Sequence, residues 1–219
     1  MFTMPEEFLR EISGPAGPLE ALLDLPADEP RAAAVFAHPH PLHGGTMHTK
    51  AVYQASKAMA RIGVAVLRFN FRGVGRSAGH HDAGPGEMED FRAALDFMAN
   101  RYPALPLWAA GFSFGSWVAL TVGPDDPRVE LLLGIGPAVD RYDFAALKQS
   151  DKPKILIHGE FDELIPVREV KKFYAQLPEP KDLVIIEAAD HLFNGKTMEL
   201  GQAVEDLLSE AWSKDAKVQ

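Results

Sequence analysis

Three polar residues of this chain stand directly after three apolar segments. Ser113 lies in "GFSFG", Asp162 in "HGEFDELIP" and His191 in "AADHLFNG". A serine hydroxyl is a weak nucleophile near neutral pH, so it needs a histidine to take its proton and a carboxylate to orient that histidine. The order Ser, Asp, His is also the order of such a triad on an open α/β sheet. Ser113, His191 and Asp162 are therefore the candidate nucleophile, base and acid.

Each of these residues also has an ordinary structural interpretation. Ser113 could occupy a tight turn whose glycines serve only packing, and Asp162 could be a turn residue or a helix N-cap. His191 could be a surface-loop histidine. What favours chemistry is the joint placement, because each residue follows the carboxyl end of its own predicted strand, where open α/β sheets carry their sites.

Apolar segments alternate with amphipathic ones along most of the chain. After an N-terminal hairpin, "EEFLREISG" and "PLEALLDLP", the pattern predicts a helix over residues 49–62, a second over 87–102 and a long final helix. Several strands are apolar on both faces, which indicates a mostly parallel sheet of about seven to eight strands covered by helices on both sides. We expect a single α/β domain over residues 1–219. The remaining predicted strands are "RAAAVFAH", "GVAVLRFNF", "LPLWAAG", "VELLLGIG", "PKILIHG" and "KDLVIIEAA".

Composition narrows the class of protein. The 219 residues are 47% hydrophobic and 24% charged, and 22 basic against 31 acidic residues leave a net charge of −9. This charge argues against nucleic acid or an anionic membrane as a main partner. There is no cysteine, and the N-terminal "MFTMPEEFLR" lacks the basic start of a signal peptide. We expect a cytoplasmic protein that acts on a small molecule.

Five motifs follow one another between residues 38 and 193: "HPHPLHGGTMHTK", "LRFNFRGVGRSAG", "GFSFGS", "HGEFDELIP" and "DHLF". With them the chain resembles the α/β-hydrolase superfamily, and especially the small bacterial serine hydrolases related to dienelactone hydrolase. The resemblance implies an esterase without a cofactor, with Ser113 as nucleophile, Asp162 as acid and His191 as base. One position departs from the group, because His48 stands where an aspartate is frequent.

Acyl transfer needs two N–H donors for the oxyanion that forms on the substrate. The residue after the nucleophile, Phe114, is the first expected donor, and the loop after the third strand supplies the second. By resemblance that second donor is His40. Pro41 has no N–H, and Leu42 or the pair Gly44 and Gly45 remain open as alternatives.

Other residues of these loops are weaker candidates for a functional site. His38, His40, His43 and His48 could form a metal site, but no carboxylate lies among them, so we predict none and expect His38 to pin the loop by hydrogen bonds. "RGVGRSAG" does not match a dinucleotide-binding loop, because its glycine spacing is wrong and no helix follows.

The interval "PAVDRYDFAALKQSDKP" is too short for a cap domain, so we expect little or no lid and an open site for small esters. The expected lining, besides Phe114, consists of Leu42, Trp117, Phe144, Leu164 and Phe193. A peptidase, a thioesterase or an acyltransferase on the same triad stays an alternative, as does a non-catalytic binding protein. The oligomeric state stays open too, since an edge strand or the hairpin could pair across a homodimer.

Overall fold

The computed structural model describes residues 5–215, apart from the side chains of residues 8, 10 and 212–215. Within this range the chain forms one eight-stranded sheet with the order β1-β2-β4-β3-β5-β6-β7-β8. The strands are β1 Glu6–Gly14, β2 Gly17–Asp24, β3 Ala32–Ala37, β4 Val64–Phe69, β5 Leu107–Phe112, β6 Val129–Ile135, β7 Lys154–Gly159 and β8 Lys181–Ile186. The first hairpin is antiparallel and joins β4 antiparallel, and the pairs from β4 to β8 are all parallel.

Helices cover both faces of this sheet. They are α1 Lys50–Arg61, α2 Pro85–Arg101, α3 Phe114–Val122, the single turn α4 Ala145–Lys148, α5 Val167–Ala175 and α6 Thr197–Asp215. Strand β3 is buried at every position, and its side chains alternate between the two faces. Its even-numbered residues pack with α1 and α6, and its odd-numbered residues pack in the core that holds α2 and α3. The predicted fold, an α/β-hydrolase sheet with an N-terminal hairpin, is confirmed.

The segment between β6 and β7 has little structure above the sheet. It spans residues 136–153 and contains only α4. The carboxyl ends of β3, β5, β6, β7 and β8 therefore open onto a surface that no inserted domain covers. In the described part of the chain, no helix is both long and apolar enough to cross a lipid bilayer.

Candidate active site

Ser113 occupies the turn between β5 and α3 in a strained backbone conformation. Its φ is +55° and its ψ is −116°, a region that L-residues rarely adopt. The turn is held in place because the Ser113 N–H donates to the carbonyl oxygen of Ile135 at 2.8 Å. This geometry lifts the hydroxyl above the sheet at the N-terminus of α3, where the helix dipole favours developing negative charge.

The glycines on either side of Ser113 are required by contacts with the backbone. A Cβ at Gly111 would overlap the carbonyl of Gly115, and a Cβ at Gly115 would overlap the carbonyl oxygens of Ala37 and His38. Backbone atoms cannot move aside as a flexible side chain can. The second glycine thus brings the start of α3 directly against the end of β3.

His191 and Asp162 meet Ser113 from the loops after β8 and β7. The Ser113 Oγ lies 2.9 Å from the Nε2 of His191, and the Nδ1 of His191 lies 2.6 Å from the Oδ2 of Asp162. His191 and Asp162 are buried, and the His191 ring packs on Phe112 with 5.3 Å between centroids. The structure therefore joins the three sequence-predicted residues into one continuous chain of hydrogen bonds.

Asp162 is held as a carboxylate. Burial works against its ionisation, but the hydrogen bond and charge of His191 and the backbone N–H of Ile165 outweigh burial, so the pKa of Asp162 is lowered. Its Oδ1 accepts the N–H groups of Leu164 at 2.9 Å and Ile165 at 2.8 Å, which leaves Oδ2 for His191. A carboxylate fixed in this way sets the orientation of the His191 ring.

The loop after β3 uses most of its N–H groups internally. Leu42 donates to the Nδ1 of its neighbour His40, Gly44 donates to the carbonyl of Pro41, and Gly45 to the carbonyl of His40. The three alternative oxyanion donors are thus occupied. Within residues 5–215, neither the N–H of Phe114 nor that of His40 has a protein acceptor. Both residues line the pocket in front of Ser113.

A buried polar network ties the far end of this loop to the sheet. The N–H of Met47 donates to the Oδ1 of Asn70 at 2.9 Å, and its carbonyl accepts from the Nη1 of Arg68 at 2.8 Å. Arg68 in turn makes two hydrogen bonds, of 2.6 and 3.0 Å, to the buried carboxylate of Asp24. The loop is therefore anchored through both backbone polar groups of Met47, its N–H and its carbonyl.

His38 pins the other end of the loop, as expected. Its Nδ1 lies 2.6 Å from the carbonyl of Pro39, and its Nε2 accepts the N–H of Phe71 at 3.0 Å. Both bonds need the neutral ring with its proton on Nδ1. Among the other histidines of this loop, His40 packs on His43 and on His81 beyond the loop, while His48 is exposed.

Burial lowers the pKa of His38 to about 4. The unfolded chain binds this proton near pH 6.5 and the folded chain only near pH 4, so between these values the unfolded state holds more protons. We expect the free energy of unfolding to fall by about 2–3 kcal/mol for this reason alone between pH 7 and 4.5. Urea unfolding at both pH values measures it, with His38→Gln as the comparison. The fall should be that much smaller in the variant, and an equal fall in both proteins would contradict the assignment.

A pocket of about 430 Å³ opens over Ser113 and His191. One wall comes from the loop after β3, and the facing wall comes from the loops after β6, β7 and β8. The lining residues are Pro39, His40, His43, Gly44, Gly45, Thr49, Ser113, Phe114, Ala138, Arg141, Tyr142, Glu163, Leu164, Ile165, His191 and Leu192. Besides Phe114, five residues are predicted to line the pocket, and of these five Leu164 does so.

The other four lining predictions are wrong. Phe144 and Phe193 are fully buried in the two cores on opposite faces of the sheet. Trp117 stacks on Tyr142 at 4.3 Å and donates its Nε1 hydrogen to the carbonyl of Asp143, so it supports the wall from behind. Leu42 is 71% exposed on a short 3-10 turn outside the pocket. Side-chain direction in these loops depends on contacts that an apolar letter in the sequence does not indicate.

Sequence reasoning missed several residues of the facing wall. Glu163 and Leu192 stand next to Asp162 and His191, and Ala138, Arg141 and Tyr142 follow the end of β6. Their position just after a parallel strand is the signal that could have found them. Tyr142 adds an aromatic ring, and Arg141 and Glu163 add opposite charges, to a wall whose other residues are mostly apolar.

Comparison with known proteins agrees with this architecture. The model of the serine aminopeptidase S33 family of hydrolases matches residues 29–148, and the chain belongs to this family of α/β serine hydrolases. An α/β serine hydrolase homologue from Coxiella burnetii has a TM-score of 0.88 at 37% identity, over 95% of this chain and 100% of that one. A serine hydrolase "without lid" from Xanthomonas campestris has a TM-score of 0.86 at 34% identity, over 94% of each chain.

A monoacylglycerol lipase of Mycolicibacterium smegmatis is 31% identical over 122 residues, which are 54% of this chain and 42% of that one. These findings confirm the predicted superfamily. The family match includes Ser113 but ends before Asp162 and His191, so the joining of the three residues rests on the geometry.

Proposed function

We propose that this serine hydrolase is a carboxylesterase that cleaves small esters through an acyl-enzyme. The observation that carries the proposal is the unbroken hydrogen-bond chain from Ser113 through His191 to Asp162 at the floor of an uncapped pocket. Its role as a catalytic triad and the ester specificity are both part of the proposal.

In the acylation step, the Ser113 Oγ attacks the ester carbonyl carbon while the Nε2 of His191 takes the hydroxyl proton. The negative charge that forms on the carbonyl oxygen is stabilised by the N–H groups of Phe114 and His40. Asp162 stabilises the imidazolium through Nδ1. The tetrahedral intermediate collapses when His191 returns its proton to the alcohol oxygen, which leaves as the free alcohol.

Deacylation repeats the same steps with water. His191 removes a proton from the water that attacks the acyl carbon, and the same two N–H groups hold the second oxyanion. His191 then protonates Ser113 Oγ as the carboxylic acid is released. The open mouth of the pocket gives water access without any movement of a lid.

The size of the pocket predicts a preference for short acyl chains. A chain longer than a few carbons extends past Leu164 and Leu192, which are 44% and 50% exposed, into solvent. Methylenes that stay in water add no binding energy. We expect kcat/KM to rise from p-nitrophenyl acetate to butyrate and not to rise further to palmitate. A clear preference for palmitate would contradict this reading of the pocket.

A second candidate is an aminopeptidase, and the carboxylate of Glu163 in the pocket favours it. Glu163 lies beside the base, since its Oε2 accepts the N–H of His191 at 3.4 Å, and a carboxylate there could bind a substrate's α-ammonium group.

A panel of ester, thioester and anilide substrates tests the proposed function. It contains p-nitrophenyl acetate and butyrate, a butyryl thioester and alanine p-nitroanilide. We expect hydrolysis of the esters and none of the anilide above background. Cleavage of the anilide, weakened by Glu163→Gln while ester turnover is kept, would favour the aminopeptidase instead.

A further inference from the structure

His158 is a buried histidine of β7 whose side chain has no part in the reaction described above. It is completely buried, and its Nε2 lies 2.9 Å from the carbonyl oxygen of Ile165. The same Nε2 is 3.5 Å from the Oδ2 of Asp162, the oxygen that faces His191. The Nε2 of His158 thus contacts both the carbonyl of Ile165, in the turn that carries Asp162, and the carboxylate of Asp162 itself.

The tautomer of His158 follows from these partners. A carbonyl oxygen can only accept, so the proton is on Nε2. Nδ1 then carries a lone pair, and it has no hydrogen-bond partner among the described residues. A proton added at Nδ1 would create a buried cation without an acceptor, and burial accordingly lowers the pKa of His158. The ring is a neutral donor.

Ile165, the last residue of the Asp162–Ile165 turn, is held through both of its backbone polar groups. The N–H of Ile165 donates to the Oδ1 of Asp162 at 2.8 Å, and the carbonyl of Ile165 accepts from His158. His158 lies on β7, which pairs with β6 on one side and β8 on the other, so its bond ties the turn to the sheet.

We propose that His158 is a positioning residue that holds Asp162 in register with His191. The proposal rests on the proposed function. Its donor is neutral, so Asp162 keeps its full charge for the imidazolium of His191, whereas a cation at the same place would compete for that charge. A shift of Asp162 by a fraction of an ångström also shifts His191, because the two are hydrogen-bonded. Misplacement of catalytic groups by about 1 Å can cost about 100-fold in rate.

A matched pair of variants separates positioning from packing. Gln and Met have similar length and volume, but only Gln carries an N–H near the place of Nε2. We expect His158→Met to lower kcat by about 30-fold with KM changed less than about twofold, and His158→Gln to stay within about threefold of wild type. Loss of packing alone would affect both variants equally.

Proton NMR gives a second readout on the same proteins. The far-downfield signal of the His191 Nδ1 proton, shared with Asp162, should persist in His158→Gln and broaden or disappear in His158→Met. His158→Leu serves as a second donor-free side chain in case the Met variant does not fold. His80→Gln, at an exposed loop histidine, is the control and should match wild type.

The outcomes distinguish the two proposals. An active wild-type enzyme whose Met and Gln variants have the same kcat contradicts the role of His158 and leaves the esterase proposal intact. A wild-type protein that neither hydrolyses esters nor reacts with a fluorophosphonate contradicts the esterase proposal, and the role of His158 falls with it.

Discussion

Ser113→Ala is expected to reduce ester hydrolysis by about 10⁵–10⁶-fold. The hydroxyl is the only group placed 2.9 Å from the Nε2 of His191 in the described pocket, and no other nucleophile can use the same base and the same two N–H donors. The residual rate should come from water attacking a substrate that the oxyanion donors still bind. Steady-state hydrolysis of p-nitrophenyl butyrate measures the loss.

The same change should abolish covalent labelling. A fluorophosphonate probe should modify wild-type protein at Ser113 and leave Ser113→Ala unlabelled, as mass spectrometry of the intact protein can show. Ser56→Ala, in α1, is the matched control: Ser56 is buried, and its hydroxyl has no hydrogen-bond partner among the described residues. Activity in Ser113→Ala close to that of wild type would exclude the proposed mechanism.

Asp162→Asn is expected to lower kcat by about 10⁴-fold with little change in stability. Oδ1 accepts two backbone N–H groups, from Leu164 and Ile165, so the carbonyl oxygen of an asparagine must take that place. Its NH₂ then points at the Nδ1 of His191. This donor selects the tautomer with the proton on Nε2, and that nitrogen can no longer accept the proton of Ser113.

The measurement is kcat on the butyrate ester together with urea unfolding of the same preparation. Asp190→Asn is the control, because it makes the same carboxylate-to-amide change one residue before His191, in a side chain whose hydrogen bonds within the described residues are to Asn194. It should keep activity near that of wild type. A loss in Asp162→Asn that merely parallels a loss of folded protein would refute the tautomer argument.

Much of this architecture could be predicted before the structure. The parallel sheet follows from runs such as "RAAAVFAH" that are apolar on both faces, since only a strand covered by helices on both sides buries every residue. The candidate triad follows from topology, because parallel strands place Ser113, Asp162 and His191 at one edge of the sheet whatever the details of the loops.

The walls of the pocket could not be predicted in the same way. Leu192 and Phe193 are adjacent apolar residues, yet Leu192 faces the pocket while Phe193, with a φ of +56°, turns into the core beside Phe112. Their directions depend on which neighbour from a distant part of the chain offers space. No local period in the sequence encodes that.

The candidates for the second oxyanion donor show most clearly what the sequence predicts and what only the structure decides. The residues alone excluded Pro41 and left His40, Leu42 and the two glycines as choices. Folding commits the N–H groups of Leu42, Gly44 and Gly45 to bonds within their own turn, and His40 is left facing the pocket.

What the sequence by itself determined is the set of elements, their order and the identity of the three polar residues at one edge, because strand and helix periodicity and parallel topology are local and regular. Only the tertiary structure decided which N–H groups remain free, which apolar side chains line the pocket and which groups contact Asp162. Those properties arise from contacts between segments far apart in the chain, where packing and hydrogen-bond geometry, rather than residue type, select the outcome.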